Sequence, residues 1–264
     1  MKQLLVDIGN SRLKWALDEE QILQSGIVGM TDNDLVAKLH HQWQQLQPEL
    51  AVLCSVAGEQ ITETISATIR ENWSCPLHKI TVCDNALGVT NAYTVPAQLG
   101  ADRWVALFAA RKLVPGPVCI VDCGTAITVD VMDEKGQHLG GAILPGTNLQ
   151  RQMLKQETAG VDWQKLKSAR LLLGQFPGLP IKSTTAAVEY GTSYGLAGAI
   201  DRLIIEFSGQ LGDNMTVLLT GGAAPDIADL LSSDYRMEKD LVFIGLSLFG
   251  RSLANKSLAG ASIK

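Results

Sequence analysis

The chain has 264 residues, 46% hydrophobic and 19% charged, with a mean hydropathy of +0.13; this supports a sizeable core in one large domain or two ordinary ones and excludes a disordered chain. The formal net charge of −5 and a pI near 5.4 give no general attraction to nucleic acid or to an acidic membrane surface. The opening MKQLLVDIGN meets an aspartate after three apolar residues, unlike a signal peptide, and no stretch approaches the roughly 18 apolar residues of a membrane span, so the expectation is a cytoplasmic protein with no membrane or nucleic-acid partner.

In chain order, QLLVDI and RLKWALD are predicted strands around an Asp-x-Gly-Asn turn, and residues 32–46 have helical periodicity opening at Asp32 or Asp34. Residues 50–57 read as a short buried strand, residues 58–73 as a helix after Gly58, and residues 78–83 as a further strand. The pattern is lost over 88–103 and resumes as an amphipathic helix over 103–113, which VPGPV at 114–118 ends as a candidate hinge. VCIVD then forms a strand, and a hairpin through DEKGQ leads into HLGGAIL. A helical region from about Gln150 to Leu173 follows, then GQFPGLP, a helix from Thr184 to Leu211, and a strand, Gly-Gly turn and helix in MTVLLTGGAAPDIADLL. Each half opens on an acidic turn between strands and adds helices afterwards, which predicts a duplicated α/β architecture with lobes at 1–115 and 116–264. The five cysteines (54, 75, 83, 119 and 123) contain no C-x-x-C pair and are expected to be buried, reduced thiols. His40 and His41 are adjacent and diverge on a helix, a poor geometry for a metal pair.

The two acidic turns carry the chemistry. VDIGNSRLKWALD and VDCGTAITVDVMD match with Asp7 on Asp122, Gly9 on Gly124, and Asn10-Ser11 on Thr125-Ala126, 115 positions apart. Phosphates need backbone N–H donors at close range, glycine lets the backbone approach, and Asn10, Ser11 and Thr125 can add side-chain donors. An aspartate repels phosphate directly but can hold a hydrated cation that bridges to it. Two such turns suit a triphosphate, and the strand running into Thr220-Gly221-Gly222 offers a bare backbone against which an adenosine can lie. No G-x-x-x-x-G-K-[ST] loop is present, and neither turn extends to G-x-G-x-x-G.

The order D-x-G-N-[ST] at 7–11, G-x-D-R at 100–103, D-x-G-T-A-x-T at 122–128, G-G-x-I-x-P-G at 140–146 and T-G-G at 220–222 resembles the type III pantothenate kinase family, or Bvg accessory factor family, over nearly the whole chain. The resemblance implies two ribonuclease H-like domains of the acetate kinase, sugar kinase, Hsp70 and actin superfold, with a nucleotide cleft between them. It implies ATP-dependent phosphorylation of pantothenate, the first step of coenzyme A synthesis, by a homodimer. It puts ATP on Asp7, Ile8, Gly9, Asn10, Ser11, Arg12, Leu13, Lys14 and Thr125. Mg²⁺ falls to Asp7, through water, and a monovalent cation, potassium or ammonium, to Asp122. Tyr93, Gly100, Ala101, Asp102, Arg103 and Thr184 become substrate contacts; Thr185 follows Thr184, so a shift of one residue stays open there.

Locally, Asp102 can cap the helix that follows it or act as the base that deprotonates the pantothenate hydroxyl; the resemblance favours the base. Arg103 matches a carboxylate bidentately. Lys14 reaches a phosphate or only alternates outward on its strand. Gly191, Gly195 and Gly198 share one helix face, suited to close packing against the core or a second subunit. The alternatives to a pantothenate kinase are a kinase of the same superfold with another small acceptor and a non-enzymatic accessory regulator.

Overall fold

Two groups of five strands dominate the computed structural model of the chain, which describes residues 1–32, 34–158 and 181–261. The first comprises β1 (Gln3–Ile8), β2 (Arg12–Asp18), β3 (Ile22–Gly29), β4 (Leu50–Ser55) and β5 (Leu77–Lys79), in the order β3-β2-β1-β4-β5. Helices α1 (Leu35–Trp43) and α2 (Glu59–Asn72) supply the crossovers that its parallel strands require. A two-stranded ribbon, β6 (Asn85–Ala86) and β7 (Val89–Thr90), precedes α3 (Ala101–Leu113).

The second group repeats the plan. It comprises β8 (Val118–Cys123), β9 (Ala126–Met132), β10 (His138–Pro145), β11 (Thr216–Thr220) and β12 (Arg236–Met237), in the order β10-β9-β8-β11-β12. Its helices are α4 (Thr147–Glu157), α5 (Thr184–Leu211) and the short α6 (Ala224–Ala228); α7 (Leu241–Ala261) ends the chain. In both sheets the first strand of the lobe pairs antiparallel with the next and parallel with the fourth.

Period-two alternation decides which side chains meet. Leu4, Val6 and Ile8 of β1 join Leu35, Leu39, Trp43, Ile65 and Ile69 in one core cluster. Gln3, Leu5 and Asp7 face the other way, toward the side on which α7 and α3 pack. All of β1 is therefore buried, as a strand covered on both faces must be. Trp15, Trp43 and Trp73 interlock at centroid separations of 6.5 and 5.6 Å. The second core gathers Val121, Val129 and Leu219 from the sheet against Leu196, Ile200 and Ile204 of α5.

The last helix was not foreseen, nor were β3 and β12. Residues Met1–Leu113, Gly136–His138 and Asp240–Lys264 form one compact unit, and Val114–Lys135 with Leu139–Lys239 form the other. The expected split kept everything after 115 together, whereas α7 returns to the first unit. Its docking is close: a side chain at Gly245 would run into the backbone carbonyl of Val105. Ser247 donates to buried Asp18 at 2.7 Å and Arg251 at 2.9 Å, so the carboxylate is paired where an unpaired charge would be costly.

Smaller differences concern boundaries and thiols. The strand expected at 78–83 is Leu77–Lys79. The helix expected from Gln150 begins at Thr147 and ends at Glu157; most of its predicted remainder, and GQFPGLP, lie outside the described residues. Cys54, Cys119 and Cys123 are buried and free as expected, but Cys75 is only half-buried and Cys83, beside the β6–β7 ribbon, is exposed. Among the described residues no helix is long and apolar enough to cross a membrane.

Candidate active site

The β1–β2 turn is built so that Asp7 lies one residue from the end of a buried strand while the turn itself stays open. The N–H of Gly9 donates to the carbonyl of Arg12 at 3.1 Å, and Asn10, Ser11 and Arg12 are exposed. Ile8 and Leu13 pair across the strands with side chains wholly in the core, so only their backbone can face a ligand. Asp7 is opposite Lys14 on β2 and Cys54 on β4, so the three share one face as a row across the sheet. The Cys54 thiol donates to Asp7 Oδ1 at 3.5 Å. Asp7 is only 9% exposed. Burial pushes its carboxyl up to about 6; the Lys14 ammonium and the Cys54 thiol pull against this, and the charge of Asp102 adds to it.

Asp102 and Arg103 lie in the first turn of α3, where Asp102 Oδ1 accepts the Arg103 N–H at 2.7 Å. That contact ties up one of the free N–H groups at the helix start. Gly100 clears the approach, since a Cβ there would be 2.6 Å from Asp102 Oδ1; Ala101 is buried as the first helical residue. Arg103 is buried, and its Nη1 donates to the Tyr93 hydroxyl at 2.9 Å. Thus Asp7, Lys14, Tyr93, Gly100, Asp102 and Arg103 all belong to the first unit, and Asp102 stands close enough to Asp7 for its charge to be felt there.

No group of three or more His, Cys, Asp or Glu side chains among the described residues could enclose a metal. The Asp7 carboxylate instead offers oxygen to a hard cation that keeps water and phosphate as its other ligands, and this donor fits Mg²⁺.

The β8–β9 turn repeats the first with one residue fewer. Val56 N–H donates to Ile8 O at 3.0 Å and Ala223 N–H to Cys123 O at 2.9 Å; Met30 N–H donates to Ser11 O at 3.0 Å and Gly146 N–H to Thr125 O at 3.1 Å. Ser11, rather than Asn10, is therefore the counterpart of Thr125, because three residues separate β1 from β2 and two separate β8 from β9. Asp122 is opposite Thr128 on β9 and Thr220 on β11, so its row carries hydroxyls where the first row carries an amine and a thiol. Gly221 has φ +94°, and a side chain on it would strike Asp122 Oδ1. Thr125 is exposed beside them.

Thr184 is the exposed first residue of α5, whose N-cap Ser183 accepts the Ala186 N–H at 3.2 Å; Thr185 is half-buried. Gly191, Gly195 and Gly198 lie along an exposed face of the same helix, where a methyl group would meet nothing within 4 Å. Two neighbours escaped the sequence reading. Cys54 was taken only as a core thiol, because its place beside Asp7 depends on the register of β1 and β4. His138 packs on Tyr93 at a centroid distance of 6.1 Å, and no local signal marks it.

A profile of the type III pantothenate kinase family matches residues 3–206. A type III pantothenate kinase from Nitrosococcus oceani is 35% identical over 251 residues, 92% of each chain. Among solved structures, a conserved protein of Campylobacter jejuni described as a Baf family transcriptional activator superposes with a TM-score of 0.58 at 21% identity, over 96% of this chain and 99% of that one. MreB 5 of Spiroplasma citri, bound to AMPPNP, gives 0.55 at 12% identity over 98% of both chains. These structural likenesses carry the fold alone, that of the actin and Hsp70 ATPases with two similarly built sheets. The sequence matches carry more: the chain with these paired acidic turns and this Asp-Arg helix start belongs to the type III pantothenate kinase family, the enzymes that phosphorylate pantothenate with ATP.

Proposed function

We propose that Asp102 is the general base of pantothenate phosphorylation and that Arg103, with Tyr93, holds the carboxylate end of the substrate. The observation that carries this reading is the placing of a carboxylate and a guanidinium on consecutive residues of one helix start, with Asp102 within electrostatic reach of Asp7. Asp102 accepts the proton of the substrate hydroxyl as that oxygen attacks the γ-phosphorus; the new O–P bond forms, the bond to the β–γ bridging oxygen breaks, and ADP leaves. Gly100 and Ala101 bring backbone to the substrate, and Thr184 contributes a hydroxyl. The first turn, through Lys14, and Thr125 bind the ATP phosphates. Asp7 would hold Mg²⁺ through water, and the ion when bound would supply positive charge to the phosphate oxygens. The oxygen-rich row around Asp122 suits a monovalent cation. The repeated strand order supports descent from one duplicated ribonuclease H-like unit, and the open glycine face of α5 supports assembly as a homodimer.

ADP release measured with and without pantothenate, on wild type and Asp102→Asn, tests the base. The variant should bind ATP and stay folded while turnover falls by roughly 10²- to 10⁴-fold. Near wild-type turnover would leave Asp102 as a helix-start residue only.

A further inference from the structure

His138 is the first residue of β10, yet it belongs to the first unit. Residues 136–138 group with that unit, whereas β9 and the rest of β10 group with the other. The attachment is made through backbone: the Thr90 N–H donates to Gly136 O at 2.9 Å, and Thr90 and Gln137 form a parallel bridge. It carries His138, with no exposed surface, against the side of Tyr93. The two rings are nearly parallel, 14° apart in plane, with centroids 6.1 Å apart.

Tyr93 is itself half-buried and sits in a stretch with little regular structure, so its ring has no element of its own to fix it. Two groups hold it. Arg103 bonds its hydroxyl at 2.9 Å, with the guanidinium carbon 5.7 Å from the ring centroid, and His138 covers the ring. The Ala92 N–H donates to His138 Nδ1 at 3.5 Å. Nδ1 accepts that bond, so the imidazole is turned by the chain segment that carries Tyr93.

We infer that His138 is a positioning residue for the acceptor substrate: it fixes the plane of Tyr93 and, through the Tyr93 hydroxyl, the direction of the Arg103 guanidinium. This rests on the assignment of Tyr93 and Arg103 to pantothenate. The ring of His138, more than its hydrogen bond, does the positioning, because the plane of Tyr93 is what it contacts.

Two variants separate the ring from the bond. His138→Gln keeps an acceptor for Ala92 and loses the flat face; His138→Phe keeps the face and loses the acceptor. Steady-state kinetics and a melting curve on each give KM for pantothenate, KM for ATP, kcat and Tm. His138→Gln should raise the pantothenate KM roughly 10-fold, as loss of an orienting partner commonly does, with kcat and the ATP KM within about 2-fold. His138→Phe should restore the pantothenate KM to within about 3-fold of wild type, since stacking is retained. A normal pantothenate KM in folded His138→Gln overturns the inference. So does the reverse order of the two variants, or a parallel fall of kcat, both affinities and Tm, which marks a merely structural residue. Arg103→Lys, run alongside, tests the underlying assignment: an unchanged pantothenate KM there removes the reading of the site, whereas a raised KM with a silent His138→Gln removes only the role of His138.

Discussion

Replacing Asp7 by asparagine should make the unliganded protein more stable at neutral pH while removing a residue proposed for catalysis. The carboxyl is 9% exposed, and burial, with Asp102 adding and Lys14 and Cys54 opposing, moves it from an ordinary 3.8 to about 6. A raised carboxyl means that the folded chain holds the proton more tightly than the unfolded chain. Stability from this group is fully present below pH 3.8 and is lost as pH rises through 6. At about 1.4 kcal/mol per pH unit, the ionised Asp7 destabilises the folded state by about 3 kcal/mol above pH 7. Asparagine is isosteric, never ionises, and still offers an oxygen to the Cys54 thiol that donates at 3.5 Å. The variant should therefore gain about 1–3 kcal/mol at pH 7.5, roughly half of that at pH 5, and nothing below pH 3.8. Urea denaturation of both proteins across this range, without nucleotide or divalent cation, measures the difference. A variant no more stable than wild type at pH 7.5, or a gain that does not shrink with acid, would refute the reasoning. Adding Mg-ATP should reverse the order, because the wild type alone then compensates the buried charge.

Activity should depend on potassium or ammonium beyond Mg²⁺, since a carboxylate facing polyphosphate needs a cation between them; equal rates in sodium, Tris and potassium buffers would reduce Asp122 to a structural role. Gly221→Ala should destabilise the chain by roughly 1–3 kcal/mol, because φ is +94° and the added methyl meets Asp122 Oδ1, and it should blunt the potassium response; a wild-type melting temperature would show that the turn can move aside. Gly195→Leu should leave the subunit folded, since open space surrounds that position, and should split the dimer while weakening pantothenate binding; light scattering that still reports a dimer with unchanged affinity argues against the α5 face as the interface.

Local periodicity and composition determined much of this protein. Alternating and continuous apolar runs marked most of the long strands, and the twin Asp-x-Gly turns announced the repeated sheet, because a turn that exposes backbone N–H groups needs glycine wherever it occurs. The motif order reached the family and put Asp102 and Arg103 on a helix start. What lay beyond the sequence is non-local. Asp7, Lys14 and Cys54 form a row only once three strands take their register; the missing residue between β8 and β9, which shifts the counterpart of Thr125 from Asn10 to Ser11, is visible only in the hydrogen bonds that close the two turns. The helix Leu241–Ala261 was overlooked because LVFIGLSLFG is apolar on every side and carries no amphipathic stripe; it is stable as a helix in this chain because a sheet and α3, which ends 128 residues earlier in sequence, pack against it. His138 shows the same limit at the scale of one ring: β9 and the rest of β10 belong to another unit, and only chain folding brings it to Tyr93. Secondary structure follows from interactions a few residues apart, whereas electrostatics and stacking at the site depend on distances that only packing sets.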